Sequence, residues 1–167
     1  MASPPGKDCN EDRPTIGWKE WLALPHLRIP AIKAKIDTGA RTSALHTFSI
    51  EEYSAGNRMM VRFGIHPLQK RQDVELFCTA PVIDRRRVKD SSGHVEMRYV
   101  IETIALLRKV QWPIQVTLTN RDRMMFRMLL GRKALEHHFT IDPANSYMNG
   151  RTLARAYRGV SSKKGRK

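Results

Sequence analysis

One aspartate in this chain has a setting suited to acid–base chemistry. Asp37 opens the run Asp37-Thr38-Gly39-Ala40 and follows Ile32, Ala34 and Ile36, which alternate with Lys33 and Lys35. That alternation predicts a half-buried strand. Asp37 has the parity of the lysines, so its carboxylate leaves the face opposite the isoleucines. Gly39 lets the backbone turn sharply or approach another chain closely, and the hydroxyls of Thr38, Thr42 and Ser43 can orient a carboxylate. A carboxylate held at a strand end is half of what hydrolysis of a peptide bond by paired acids requires. The same three letters also suit an ordinary strand ending in an Asx turn.

The elements that must position this residue are read from composition and periodicity. The 167 residues are 41% hydrophobic and 7% aromatic, enough for one domain with a core. No apolar run approaches bilayer length, and the start has no apolar signal core. Cys9 sits in a polar leader and Cys78 in a strand-like run, so a disulfide is not expected and a reducing cytoplasm is the simple reading. The net charge is +14, and residues 151–167 carry Arg151, Arg155, Arg158, Lys163, Lys164, Arg166 and Lys167 with no acid, leaving +7 for the rest. A basic tail suits nucleic acid, an acidic partner or solubility alone; the surplus in the rest points to an acidic ligand for the folded part.

We expect a flexible leader over 1–14, a folded domain over 15–150 and a basic flexible tail over 151–167. Within the domain, Ile16–Pro25 reads as a first strand forming a hairpin with the Asp37 strand. Alternation predicts strands over Met59–Ile65, Val74–Ala80 and Ile114–Leu118, with a break at Lys109–Pro113. Asp90-Ser91-Ser92-Gly93 is a turn between Arg87-Val88-Lys89 and Val95–Ile101, hence a hairpin. Met124–Leu130 is apolar, Lys133–His138 is the best short helix, and Phe139–Pro143 closes with a strand. Arg85-Arg86-Arg87 reads as a solvated strand edge or loop. Many short strands and one late helix predict an all-β barrel-like or sandwich domain.

Three landmarks then stand in order: Asp37-Thr38-Gly39-Ala40 after a strand, a hairpin with tip Ser91-Ser92-Gly93, and Leu129-Leu130-Gly131-Arg132 before a short helix. Together they resemble a retropepsin. The longer string from Asp37 to His46, with Arg98-Tyr99-Val100-Ile101, is similar to the RimB-type retropepsin-like proteases associated with RimK-type ATP-grasp ligases, a group also labelled as ATP-dependent zinc proteases. The resemblance covers about residues 16–150. It implies an all-β, retropepsin-like closed barrel with one short C-terminal helix and a homodimeric active site. Asp37 of each copy would be catalytic, the pair sharing one proton. Thr38, Gly39, Ala40, Gly131 and Arg132 would support the site. Arg41, Ser91, Ser92, Gly93 and Arg98 would bind substrate.

The implied activity is aspartic endopeptidase action on an acidic substrate, trimming a poly-glutamate tail that a RimK-type ligase adds to a small-subunit ribosomal protein. The implied partners are a second copy, that ribosomal protein and, by functional link, the ligase. Arg41 stands where viral enzymes carry an acid, and with Lys33, Lys35 and Arg98 it makes a cationic groove the expectation; a structural salt bridge is the rival account of Arg41. Two alternatives remain: a non-catalytic basic ribosome- or RNA-binding module, with the tail touching nucleic acid, and a zinc-dependent protease. His26, His46, His66, His94, His137 and His138 are scattered, with no His-Glu-x-x-His or Cys-x-x-Cys, so no metal and no cofactor are expected. His46 is the one histidine to inspect near the site.

Overall fold

The structure is a computed structural model and describes residues 13–159; Cys9, the leader up to residue 12 and the tail from residue 160 lie outside the described residues. Short alternating runs become strands: β1 (Thr15–Gly17), β2 (Lys19–Leu24), β3 (Ile29–Asp37), β4 (Ser43–His46), β5 (Ser49–Ala55) and β6 (Arg58–Ile65). They continue as β7 (Leu76–Pro81), β8 (Asp84–Lys89), β9 (Val95–Leu107), β10 (Val110–Thr119) and β11 (Met128–Gly131). One helical turn, α1 (Arg132–Leu135), leads to β12 (Thr140–Asp142), and 3₁₀ turns occupy Pro25–Leu27 and Thr152–Tyr157.

The strands form three sheets. β1 and β12 pair in parallel, β5-β6-β7 form an antiparallel sheet, and seven strands follow the order β10-β4-β11-β3-β2-β9-β8. In the seven-stranded sheet β9 also pairs with β10, and β8 continues past them as an edge bonded to β9 alone. The expected single closed barrel with one helix is therefore corrected to three sheets, a one-turn helix and two 3₁₀ turns. Alternation identifies strands but not their neighbours, because a residue's parity is the same whichever strand lies beside it.

The core explains most local choices. Leu22, Leu24, Ile29, Ile32, Ala34, Leu45, Ile101, Leu107, Leu118, Met128 and Leu130 are almost wholly buried in one cluster. Val61, Phe63, Ile65, Cys78 and Ala80 join it from the three-stranded sheet, while β5 stays largely exposed. The first expected strand is split at Trp18, whose backbone N–H donates to Asn145 O at 2.9 Å. A Cβ on Gly17 would lie 2.3 Å from that same carbonyl oxygen, so only glycine allows the crossing. The expected break at Lys109–Pro113 narrows to the two-residue turn Arg108-Lys109; Val110–Pro113 already belong to β10, where Pro113 sits opposite Ile104. The helix stops at Leu135, short of His138. Glu136 leaves helical geometry and His137 turns left-handed at φ 69°, which brings Phe139 edge-on to Trp112 at 5.0 Å.

The C-terminal 3₁₀ turn packs on β3. Tyr157 is buried, donates its hydroxyl to Ala31 O, and burial pushes its phenol up to about 12.

Candidate functional site

Asp37 ends β3, in parallel register with Gly131 of β11. Its Oδ1 accepts the backbone N–H groups of Gly39 (3.1 Å) and Ala40 (3.2 Å), an Asx turn that fixes the carboxylate relative to the strand. The turn is braced from β11 and α1. Arg132 Nη1 donates to Thr38 O (2.9 Å) and Gly39 O (3.3 Å), and the Arg132 and Lys133 N–H groups donate to Ala40 O and Arg41 O. Gly131 N–H donates to Ser43 Oγ at 3.0 Å, and a Cβ on Gly131 would lie 2.6 Å from Thr42 C. Here the missing side chain is what lets two backbones touch.

Across from this turn stands the β8–β9 hairpin. Asp90 Oδ1 accepts from Ser92 Oγ (2.6 Å), Ser92 N–H (2.9 Å) and His94 N–H (2.9 Å), and Gly93 turns the tip at φ 88°. The other Asp90 oxygen pairs with Arg121, which follows β10. The Ser92 hydroxyl and then Arg121 hold the Asp90 carboxyl far below the usual carboxylate range. The hairpin is thus tied down at its tip.

Between turn and hairpin lies a cleft of about 1370 Å³. Asp37, Gly39, Ala40, Arg41, Ser91 and Arg98 of the expected residues line it; Thr38, Ser92, Gly93, Gly131 and Arg132 do not. Lys33 is elsewhere, bonded to Gln69 Oε1 at 2.8 Å and set over Trp21, and neither it nor Lys35 lines the cleft. The cleft adds cations outside the expected site residues: Arg86, Arg87, Lys89, Arg121 and Lys133. With Arg41 and Arg98 that makes seven cations against three acids, Asp37, Asp90 and Glu102. Arg86 pairs with Asp84 (2.9 Å), Arg98 with Glu96 (2.6 Å) and Lys133 with Glu136 (3.0 Å). Among the described residues Arg41, Arg87 and Lys89 form no ion pair, so the rival salt-bridge account of Arg41 has no partner there. Arg87 and Lys89 share one parity on β8 and Arg86 has the other, while Arg121 follows β10 and Lys133 sits in α1, so no single sequence pattern groups these cations; only the fold brings them together.

His46 also lines the cleft. It is 3% exposed, with Nδ1 2.6 Å from Thr119 Oγ1. Burial first, then the charges of Arg98, Arg121 and Arg127, lower it to about 4. Cys78 is a buried free thiol donating to Leu27 O, pushed up to about 11 by burial and hence unreactive. Among the described residues no three His, Cys, Asp or Glu side chains form a metal-holding group. No described helix is long and apolar enough to cross a membrane.

The fold matches the crystal structure of a protein of unknown function from Legionella pneumophila, at TM-score 0.68 and 24% identity over 81% of this chain and 97% of that one. Curated relatives are named probable alpha-L-glutamate ligases. The one from Shewanella halifaxensis is 44% identical over 135 residues, 81% of this chain and 30% of its own. The one from Desulfotalea psychrophila is 44% identical over 154 residues, 90% of this chain and 33% of its own. The chain thus spans about a third of the length of the curated relatives it matches. These relatives correct several expectations. The matched region lies inside chains named as ligases, which overturns the expectation of a tail-trimming aspartic protease linked to a separate ligase. The proton-sharing Asp37 pair, the homodimer and the ribosomal-protein substrate served that reading and go with it. The zinc-protease alternative conflicts with the same ligase names. A family model described as "RimB-like: Retropepsin-like aspartic endopeptidase RimB" matches residues 15–152, most of the chain, and the chain belongs to that family.

Proposed function

We propose that this chain holds an acidic glutamyl chain for α-glutamate ligation. The observation that carries the reading is the charge of the cleft, seven cations to three acids, in a chain whose relatives are named alpha-L-glutamate ligases. An extended glutamyl segment rises ~3.3 Å per residue, so side chains on one face recur every ~7 Å. Carboxylates at that spacing suit a wall of guanidinium forks, which bind them in pairs of hydrogen bonds. Arg41, Arg87 and Lys89, free of ion pairs within the described residues, supply the first attraction. Arg98 and Arg121 already hold carboxylates and can exchange them. Asp37, already accepting two backbone N–H groups, repels side-chain carboxylates and instead accepts a backbone N–H of the bound chain, which sets its direction. Ser91 adds a hydroxyl on the hairpin side. A cytoplasmic location belongs to the same reading, supported by the free buried thiol of Cys78.

The test is fluorescence anisotropy with labelled tetra-α-L-glutamate against tetra-L-glutamine, at low and high salt. The glutamate peptide is expected to bind and the glutamine peptide not. Salt should weaken binding, and Arg41→Glu or the pair Arg87→Glu/Lys89→Glu should each weaken it about tenfold. Equal binding of both peptides, or shortening of the glutamate peptide seen by mass spectrometry, would overturn the reading.

A further inference from the structure

His46 is the buried group in the cleft wall that nothing above uses. It extends from β4 on the same side as Ala44, which also lines the cleft. Its Nδ1 is engaged with Thr119 Oγ1 at 2.6 Å, whereas Nε2 is sealed from solvent and has no hydrogen-bond partner. Buried polar atoms in native proteins are nearly always paired. An orphan in the wall of a cleft therefore marks a point that a ligand atom completes. The charged groups facing the ring come from several elements: Arg98 and Glu96 on β9, Arg121 after β10, and Arg127 before β11. Arg98 is held by Glu96 and Arg121 by Asp90. Arg127 lies 3.3 Å from Asp122, yet its Nε and Nη1 have no hydrogen-bond partner. The surroundings of His46 are rich in donors and short of acceptors, and a carboxylate is the group that would balance them.

Resting on the reading of the cleft as a glutamyl-chain site, we propose that His46, with Arg98 and Arg121, forms an inner carboxylate subsite in which the Nε2–H donates to one carboxylate of the bound chain. The Thr119 hydroxyl donates to Nδ1 of the neutral ring, which leaves the ring proton on Nε2. Arg121, a third exposed and held among the described residues by Asp90 at the hairpin tip, is the part of the wall that changes partner as the carboxylate enters. In the empty cleft burial and the nearby guanidinium groups keep His46 neutral. A carboxylate beside Nε2 opposes both effects and favours the charged ring, so binding draws a proton onto His46, and Nδ1–H then donates to Thr119. Affinity thus rises as pH falls from about 7 towards 5, a range in which glutamate side chains, with an ordinary value of ~4.3, stay ionised.

The experiment is calorimetric titration of the full chain with tetra-α-L-glutamate at several pH values, in buffers of different ionisation enthalpy. The ¹⁵N resonances of His46 are followed in parallel. Wild type should take up a proton on binding and show a shift of His46 Nε2. His46→Phe should weaken binding about tenfold at the acid end and lose the proton uptake. His46→Gln keeps an N–H donor without a titrating ring, so it should recover part of the affinity and none of the pH dependence. If either variant fails to fold, proton uptake and the Nε2 shift in wild type decide. Binding by wild type with neither uptake nor a His46 shift would overturn the subsite and leave the cleft reading standing. No peptide binding by wild type removes the cleft reading, and the subsite with it.

Discussion

Glu20 shows how much a single charged residue holds in this fold. It is fully buried on β2 and accepts backbone N–H groups from Gly17 (2.8 Å), Met148 (2.9 Å) and Asn149 (3.4 Å). It therefore pins the segment after β12 to the first two strands. A buried carboxylate survives only with such donors. Glu20→Ala strands three N–H groups and should lower stability by about 3 kcal/mol. Glu20→Gln should cost less, because an amide oxygen still accepts. Urea midpoints for the two variants check the order. Asp37 makes the opposite case: its carboxylate bonds only its own turn, so the orientation that matters at the cleft comes from local backbone geometry.

Among the elements, β11 decides whether the Asp37 turn keeps its shape. It lies between β3 and β4, and its last residue, Gly131, touches the Thr42 backbone. In Gly131→Ala the new methyl meets Thr42 C at 2.6 Å and Thr42 O at 2.8 Å, atoms that are backbone and cannot swing away. The variant should lose about 2 kcal/mol or more of stability. It should also weaken tetra-glutamate binding, since Arg132 and Lys133 brace the same turn. Denaturation together with the anisotropy assay measures both effects. The β8–β9 hairpin is the second decisive element. It carries Arg86, Arg87, Lys89, Ser91 and Arg98 to the cleft, and the Arg121–Asp90 pair holds its tip.

For the molecule as a whole, the charge balance makes stability depend on pH through His46. Its value falls from the ordinary 6.5 to about 4 in the folded state. Between those values the unfolded chain binds the proton and the folded chain does not, so stability rises with pH. The contribution is complete above about pH 6.5, declines as pH falls from there, and is fully lost below about pH 4, a span worth about 3 kcal/mol. Wild type should therefore lose more stability between about pH 7 and pH 4.5 than His46→Gln does, as urea titrations of the two proteins would show. A difference of the opposite sign would mean that the ring is charged in the folded state. An acidic ligand that draws a proton onto His46 would flatten this slope.

By itself the sequence determined that Asp37 ends a strand at a turn, that the chain is a series of short strands, and that a Ser91–Gly93 hairpin and a Leu-Leu-Gly-Arg segment accompany the motif. These are local matters of parity, turn chemistry and glycine, each settled within a few residues. Tertiary structure decided which strands are neighbours, and so which cations meet over Asp37. Lys33, two turns of the pleat from Asp37 in sequence, went to Trp21 and Gln69, whereas Arg87 and Lys89, about fifty residues away, came to the cleft. Tertiary structure also buried His46 beside three guanidinium groups and left its Nε2 without a partner. The reason is physical: alternation tells a side chain which face to take, but only the pairing of distant strands determines what that face meets.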